Sequence, residues 1–311
     1  MRGALPAVMI ACVLGACAFD PQTPSMGDDD DDAMPTDGDG DGIGANDNCV
    51  GIANPDQRDH DGDGKGDACD GCPHLTGGDD DPDGDGIGVA CDPEPLVKNP
   101  PPYWNGFYDP PDLMWSVPNG MGGLADWQVQ DRGDKRGWAQ VTLDGSKRHH
   151  LVLAGVREES FVMSAFVVDQ IANGDATSDL RSATVSFGYS KSQTSGNEYY
   201  FNCGVRSDKL LDSSTVLASA FLNDTIRDDQ TMPWPNDVAG KTLTITGRAD
   251  RTNGTEPKTG DSVLTCDANN GTAHELVQNE SADYPDGQVG LRTYGMTAWF
   301  DYLFVVEPIA F

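Results

Sequence analysis

The sequence predicts a mostly β protein: an antiparallel β-sandwich preceded by an irregular, aspartate-rich segment that cannot build an ordinary core. Three observations predict it. From residue 103 onward, short apolar runs recur between clusters of Gly, Asn, Asp and Ser, the punctuation of strands and turns. Before them, residues 28–92 hold 21 Asp and no Glu, against one Arg and one Lys. Neither part carries a convincing helical apolar period.

Residues 1–17 have the form of an export signal. Met1-Arg2 is a short positive start, and residues 5–13 are an apolar run too short to span a bilayer. Leu14-Gly15-Ala16-Cys17 follows and resembles the bacterial lipobox, whose Cys is lipidated and becomes the mature N-terminus. An ordinary secretory signal with a small-residue cleavage site is the alternative. Both export the chain. A lipid on Cys17 implies anchoring to the bacterial cell envelope, at the outer membrane or cell surface. No later segment is long and apolar enough for a membrane helix, so the membrane is met through the anchor only.

Eight Cys are present. Cys12 leaves with the signal and Cys17 carries lipid. Cys49, Cys69, Cys72, Cys91, Cys203 and Cys266 remain, an even set suited to an oxidising compartment. Residues 18–36 are polar, with five consecutive aspartates at 28–32. They read as a disordered acidic tether, lacking the alternation and turning Gly that a cation site needs.

Residues 37–93 repeat one arrangement three times. The middle copy places Asp59, Asp61 and Asp63 at positions 1, 3 and 5, Gly64 at 6, Lys65 at 7 and Asp70 at 12. Asp67 lies inside the same loop. A hard divalent cation takes six to eight oxygens, and this pattern supplies carboxylates at odd positions, a backbone carbonyl at position 7 and a Gly for the sharp bend. The third copy has Asp81, Asp83, Asp85, Gly86, Ile87 and Asp92. The first has Asp37, Asp39, Asp41, Gly42 and Ile43, but Asn48 stands at its position 12. Two like charges 4 Å apart repel by about 1 kcal/mol even in water, so the expected cofactor is calcium. The segment should be extended without the ion and compact with it. An EF-hand is rejected, because Gly, Pro and Cys flank the loops where helices would be needed. Zinc at Cys69-x-x-Cys72 and a merely solvated acidic linker are the other readings. Such acidity repels nucleic acid and excludes it as a partner.

Around the middle loop stand Asp47-Asn48-Cys49, then Asn54-Pro55-Asp56-Gln57, then Asp67-Ala68-Cys69-Asp70-Gly71-Cys72-Pro73. This text, over about 55 residues, resembles thrombospondin type 3 repeats. It departs at Val50, where that family often has Pro, and at Gly77-Gly78-Asp79-Asp80, which replaces a second Asn-Pro-Asp-Gln. The resemblance implies the pairings Cys49–Cys69 and Cys72–Cys91. The residues themselves leave all three pairings of four Cys open.

Residues 94–102 hold Pro95, Pro100, Pro101 and Pro102 and read as a stiff linker. Strands are expected at 138–143, 150–153, 161–168, 183–189, 199–205, 242–246, 288–293 and 298–306. In Thr242-Leu243-Thr244-Ile245-Thr246 every second residue is apolar. Residues 210–222 are the one helix candidate, and their Ser/Thr content favours a strand. In the thrombospondin family a concanavalin-like sandwich follows the repeats, and this chain has the same order. Ser186-Phe187-Gly188-Tyr189, and residues 287–292 with 298–306, are similar to strands of laminin-G-like jelly rolls. That resemblance implies a jelly-roll β-sandwich over residues 103–311. Cys203 and Cys266 are expected to join strands or sheets.

No Glu-x-Asp-x-x-Glu strand of sandwich glucanases, no Gly-x-Ser-x-Gly elbow and no His cluster is present. Glu158-Glu159 falls in an apparent hairpin turn, Asp301 reads as a structural acid, and His149-His150 as surface and core positions. Most of Trp104, Trp115, Trp127, Trp138 and Trp234 are expected in the core. The function expected is calcium-dependent adhesion or binding of a glycan or a cell-surface protein. A carbohydrate-active enzyme and a passive spacer are the alternatives.

Overall fold

The computed structural model describes residues 37–118, 121–144, 148–155, 160–172, 180–191, 196–208, 213–222, 225–234, 238–251, 262–268, 274–278 and 287–309. Cys17, the tether and Glu158-Glu159 lie outside them. The elements are β1 (Tyr103–Asn105), β2 (Trp115–Ser116), β3 (Trp127–Arg132), β4 (Lys135–Gln140), β5 (Arg148–Leu153), β6 (Ser160–Ile171), β7 (Leu180–Lys191), β8 (Glu198–Asp208), β9 (Ser213–Leu222), β10 (Thr225–Trp234), β11 (Thr242–Arg251), β12 (Ser262–Ala268), β13 (His274–Gln278), β14 (Gln288–Tyr294) and β15 (Met296–Val306). The ambiguous 210–222 stretch thus contributes β9. Among the described residues no helix is long and apolar enough to cross a membrane.

The strands form two antiparallel sheets. One runs β13-β12-β11-β6-β15-β4-β3, the other β10-β9-β8-β7-β14-β5-β2. Their facing sides alternate as the sequence does: Leu243 and Ile245 are fully buried while Thr244 and Thr246 are half-buried. Val185, Phe187, Cys203, Leu291, Phe166 and Phe300 complete the middle of the core. Trp115, Trp127 and Trp138 are buried in it as expected, and the side chain of Trp234 is outside the described set. The Cys203–Cys266 disulfide joins β8 of one sheet to β12 of the other.

β15 is buried along its whole length. On one edge it pairs with β6; on the other, β4 takes its first half and β1 its second. One face packs into the core. The other presents Tyr302, Phe304 and Val306, which cluster with Ala165 of β6 and with Cys72, Ile87 and Cys91 of the aspartate-rich segment. Residues 94–99, at the start of the Pro-rich stretch, are held against the sandwich as well. Glu94 accepts hydrogen bonds from Asn99 Nδ2 and the Ile309 amide at 3.0 Å each, and Arg248 lies 3.5 Å away. The physical reason is that the segment has too little apolar area for a core of its own. It therefore borrows the outer face of the sandwich.

Candidate metal centre

The three aspartate loops fold alike. The first acid of each accepts two backbone amides of its own loop: Asp37 from Gly40 and Gly42, Asp59 from Gly62 and Gly64, Asp81 from Gly84 and Gly86, at 2.6–3.0 Å. The fifth-position acid accepts the amide two residues on, at Ile43, Lys65 and Ile87. Its second oxygen then takes an amide from the following turn: Asn54 for Asp41, Gly77 for Asp63, Asn99 for Asp85, at 2.8–3.1 Å. Gly64 and Gly86 sit at φ of 98° and 90°, where L side chains are strained.

The network brings three carboxylates together in each copy: Asp37, Asp39 and Asp41; Asp59, Asp61 and Asp63; Asp81, Asp83 and Asp85. In each set one ligand oxygen per residue lies within 4.8 Å of the others. The disulfides Cys49–Cys69 and Cys72–Cys91, the pairs the resemblance implies, tie the loops in series. Gly88 is fixed by this crossing, since a Cβ there would lie 2.8 Å from Cys72 Sγ and 2.5 Å from the Gly78 carbonyl.

Charge is unevenly satisfied within the cradles. The amides of Gly42 and Gly40 hold the Asp37 carboxyl below its usual range, and those of Gly86 and Gly84 do the same for Asp81. Burial raises Asp61, Asp83 and Asp92 instead, with neighbouring carboxylates adding to it. Asp70 is pushed up to about 7, by burial first and then by its hydrogen bond to Asp79. Among the described residues of the aspartate-rich segment, four carboxylate oxygens are buried without any hydrogen-bond donor: Asp61 Oδ2, Asp79 Oδ1, Asp83 Oδ2 and Asp92 Oδ2. Buried acceptors normally have partners, and leaving one bare costs about 1–3 kcal/mol. An all-oxygen set of this kind fits a hard divalent cation.

Not every expected ligand sits in a cradle. Asp67 Oδ2 accepts from Trp104 Nε1 at 3.2 Å and Tyr108 OH at 3.0 Å, and its Oδ1 accepts the His60 amide. Asp67 therefore ties the second loop to the sandwich. Ile87 donates its amide to Asp85 and buries its side chain against the sandwich face. Asp79 lies beside the second loop unforeseen, hydrogen-bonded to Asp70 and 3.3 Å from Lys65 Nζ. Its one sequence signal was the Gly77–Asp80 departure from the repeat.

The acid on β15 is neutralised. Asp301 lies 3.0 Å from Lys135 Nζ and 3.4 Å from His60 Nε2. Burial opposes its ionisation, but these two partners hold the carboxyl low. His149 meets Asp126 at 3.1 Å, and His150 Nε2 meets Ser186 Oγ at 2.7 Å on the outer face of the second sheet. Burial, then Arg292, drives His150 far below the ordinary imidazole range, so it is neutral.

No family model matches the sequence, and no curated protein matches it. Solved structures do. A Bacillus licheniformis β-glucanase is similar over 66% of this chain and 97% of its own, with TM-score 0.45 and 9% identity. A Lotus tetragonolobus seed lectin is similar over 66% and 96%, with TM-score 0.39 and 14% identity. The carbohydrate-binding module CBM66 of Bacillus subtilis is similar over 60% and 92%, with TM-score 0.36 and 14% identity. These likenesses concern the jelly-roll fold alone.

Proposed function

We propose that this is an exported calcium-binding protein, anchored to the bacterial envelope through Cys17, whose folded part binds glycans. The observation that carries the calcium reading is the set of buried, donorless oxygens on Asp61, Asp79, Asp83 and Asp92. They add to cradles already fixed by backbone amides, and all-oxygen, carboxylate-rich sites suit calcium. Asp59, Asp61, Asp63 and Asp70 would hold one ion, and Asp81, Asp83, Asp85 and Asp92 another. Asp37, Asp39 and Asp41 form a weaker site without a closing acid. The thrombospondin type 3 reading of residues 37–93 is supported by the two disulfide pairs it implies.

Binding is favoured over hydrolysis because the buried acid of β15 is paired with Lys135 and His60 and held low, the opposite of the raised carboxyl a general acid needs. Glycan binding is favoured by aromatic rings set among carboxylates beside the second cradle. Both are tested on a glycan array with and without calcium. Retention that disappears in EGTA, with no sugar released, is the expected result. Released sugar makes the protein an enzyme. No retention in either condition makes it a spacer.

A further inference from the structure

Among the described residues, two that are not glycine have positive φ: Gln57 at 49° and Phe107 at 55°. Such geometry in a bulky residue persists only where its surroundings over-determine it, and it concentrates at functional sites. Both are over-determined here. Gln57 exchanges side-chain hydrogen bonds with Asn48, Asp47 and Asn54. Phe107 is fully buried and stacks on Trp138 with centroids 4.2 Å apart. Each immediately precedes one member of a contact between the two halves of the molecule. Arg58, after Gln57, lies 4.6 Å over the ring of Tyr108, after Phe107.

That contact walls a cleft of about 380 Å³ between the second aspartate loop and the sandwich, within the range of small-molecule sites. Trp104 and Tyr108 supply rings held rigid by their shared hydrogen bonds to Asp67. The rim carries Asp56, Asp109 and Asp112. Arg58 is paired with Asp109 at 2.8 Å and Asp56 at 3.1 Å, so its charge is spent within the rim.

We infer that this cleft is a sugar site, and that it takes a neutral pyranose. The inference rests on the glycan-binding reading above and names its place and ligand class. Ionised carboxylates only accept hydrogen bonds, so the ligand must bring donors, as sugar hydroxyls do. Trp104 lines the cleft and offers a flat apolar surface for the C–H face of a pyranose, while Arg58 covers the ring of Tyr108. An acidic sugar would place its charge among carboxylates and be repelled. The cleft is coupled to the cation because Arg58 adjoins Asp59, and Asp67 belongs to the same loop.

The test is calorimetry on the calcium-loaded full chain, with cello-, laminari- and malto-oligosaccharides as neutral probes and oligogalacturonate as the acidic one. Binding of a neutral probe is expected to weaken about tenfold or more in Arg58→Ala and in Asp109→Ala. Asp109 is exposed, so its variant should keep the wild-type melting temperature and provides the control for folding. Neutral-sugar binding that both variants retain would overturn the site while leaving the glycan reading intact. Preference for oligogalacturonate would overturn the ligand class. A wild-type chain that binds no sugar with or without calcium would overturn the glycan reading itself.

Discussion

His74 of the aspartate-rich segment lies against Tyr302 of β15, ring centroids 4.6 Å apart, with both imidazole nitrogens buried and without hydrogen-bond partners. Burial first, then His60 and Lys135, lowers His74 to about 3. In the unfolded chain it protonates near its ordinary 6.5. Between these values the unfolded state holds the extra proton, so this contribution is complete above about 6.5 and is lost as pH falls toward 3. Urea melts of the calcium-saturated protein at about pH 7 and about pH 5 should differ by roughly 2 kcal/mol from this residue. His74→Phe should flatten that difference. An unchanged slope in the variant would show that His74 is not the group responsible.

Removing one donorless oxygen should reverse sign with the ion. Asp83→Asn deletes a ligand charge, so calcium affinity at the third loop should fall about tenfold or more. In EGTA the same change relieves carboxylate repulsion and should raise the melting temperature. Thermal melts of variant and wild type in both conditions read the two signs directly. A variant less stable in EGTA as well would show a packing defect instead.

Calcium uptake should release protons. Asp70 stands at about 7 in the ion-free protein, and a metal ligand must be ionised. Calorimetry near neutral pH in two buffers of different ionisation enthalpy should give different apparent heats, with affinity falling as pH drops below about 7. Asp70→Asn should make the heats agree.

The disulfides should rank by the loop each closes. Cys49–Cys69 and Cys72–Cys91 span 20 and 19 residues, and Cys203–Cys266 spans 63. Chain entropy assigns roughly 3 kcal/mol to each short loop and roughly 4 to the long one. Paired Cys→Ala variants in calcium, measured by denaturant midpoint, test the order. A larger loss at Cys72–Cys91 would reveal the extra cost of uncovering Phe304.

How much could be read in advance depended on where each element sits. Strands inside the sheets announced themselves: Leu243 and Ile245 on β11 alternate cleanly because one face meets the core. Besides the short β1 and β2, strands β3, β10, β12 and β13 were not anticipated; β3, β10 and β13 lie at sheet edges, while β12 is interior. Edge strands carry polar residues such as Gln128, Gln130, Asp228 and Asp229, which dilute apolar periodicity. The cradles were legible because their carboxylates alternate locally. Asp67 was not, since the same residue at the same loop position serves either an ion or a neighbouring Trp104, and only the tertiary contact decides. Nothing local marked His74 as a docking residue.

The double burial of β15 sets an order of events. The aspartate-rich segment leaves the ribosome long before Tyr302 and Phe304 exist to receive it. Until then Cys72, Ile87 and Cys91 have no platform, and wrong thiol pairings compete on equal terms with right ones. The part of the chain that arrives first is therefore completed last, and early oxidation of its cysteines is a hazard that the finished sandwich removes.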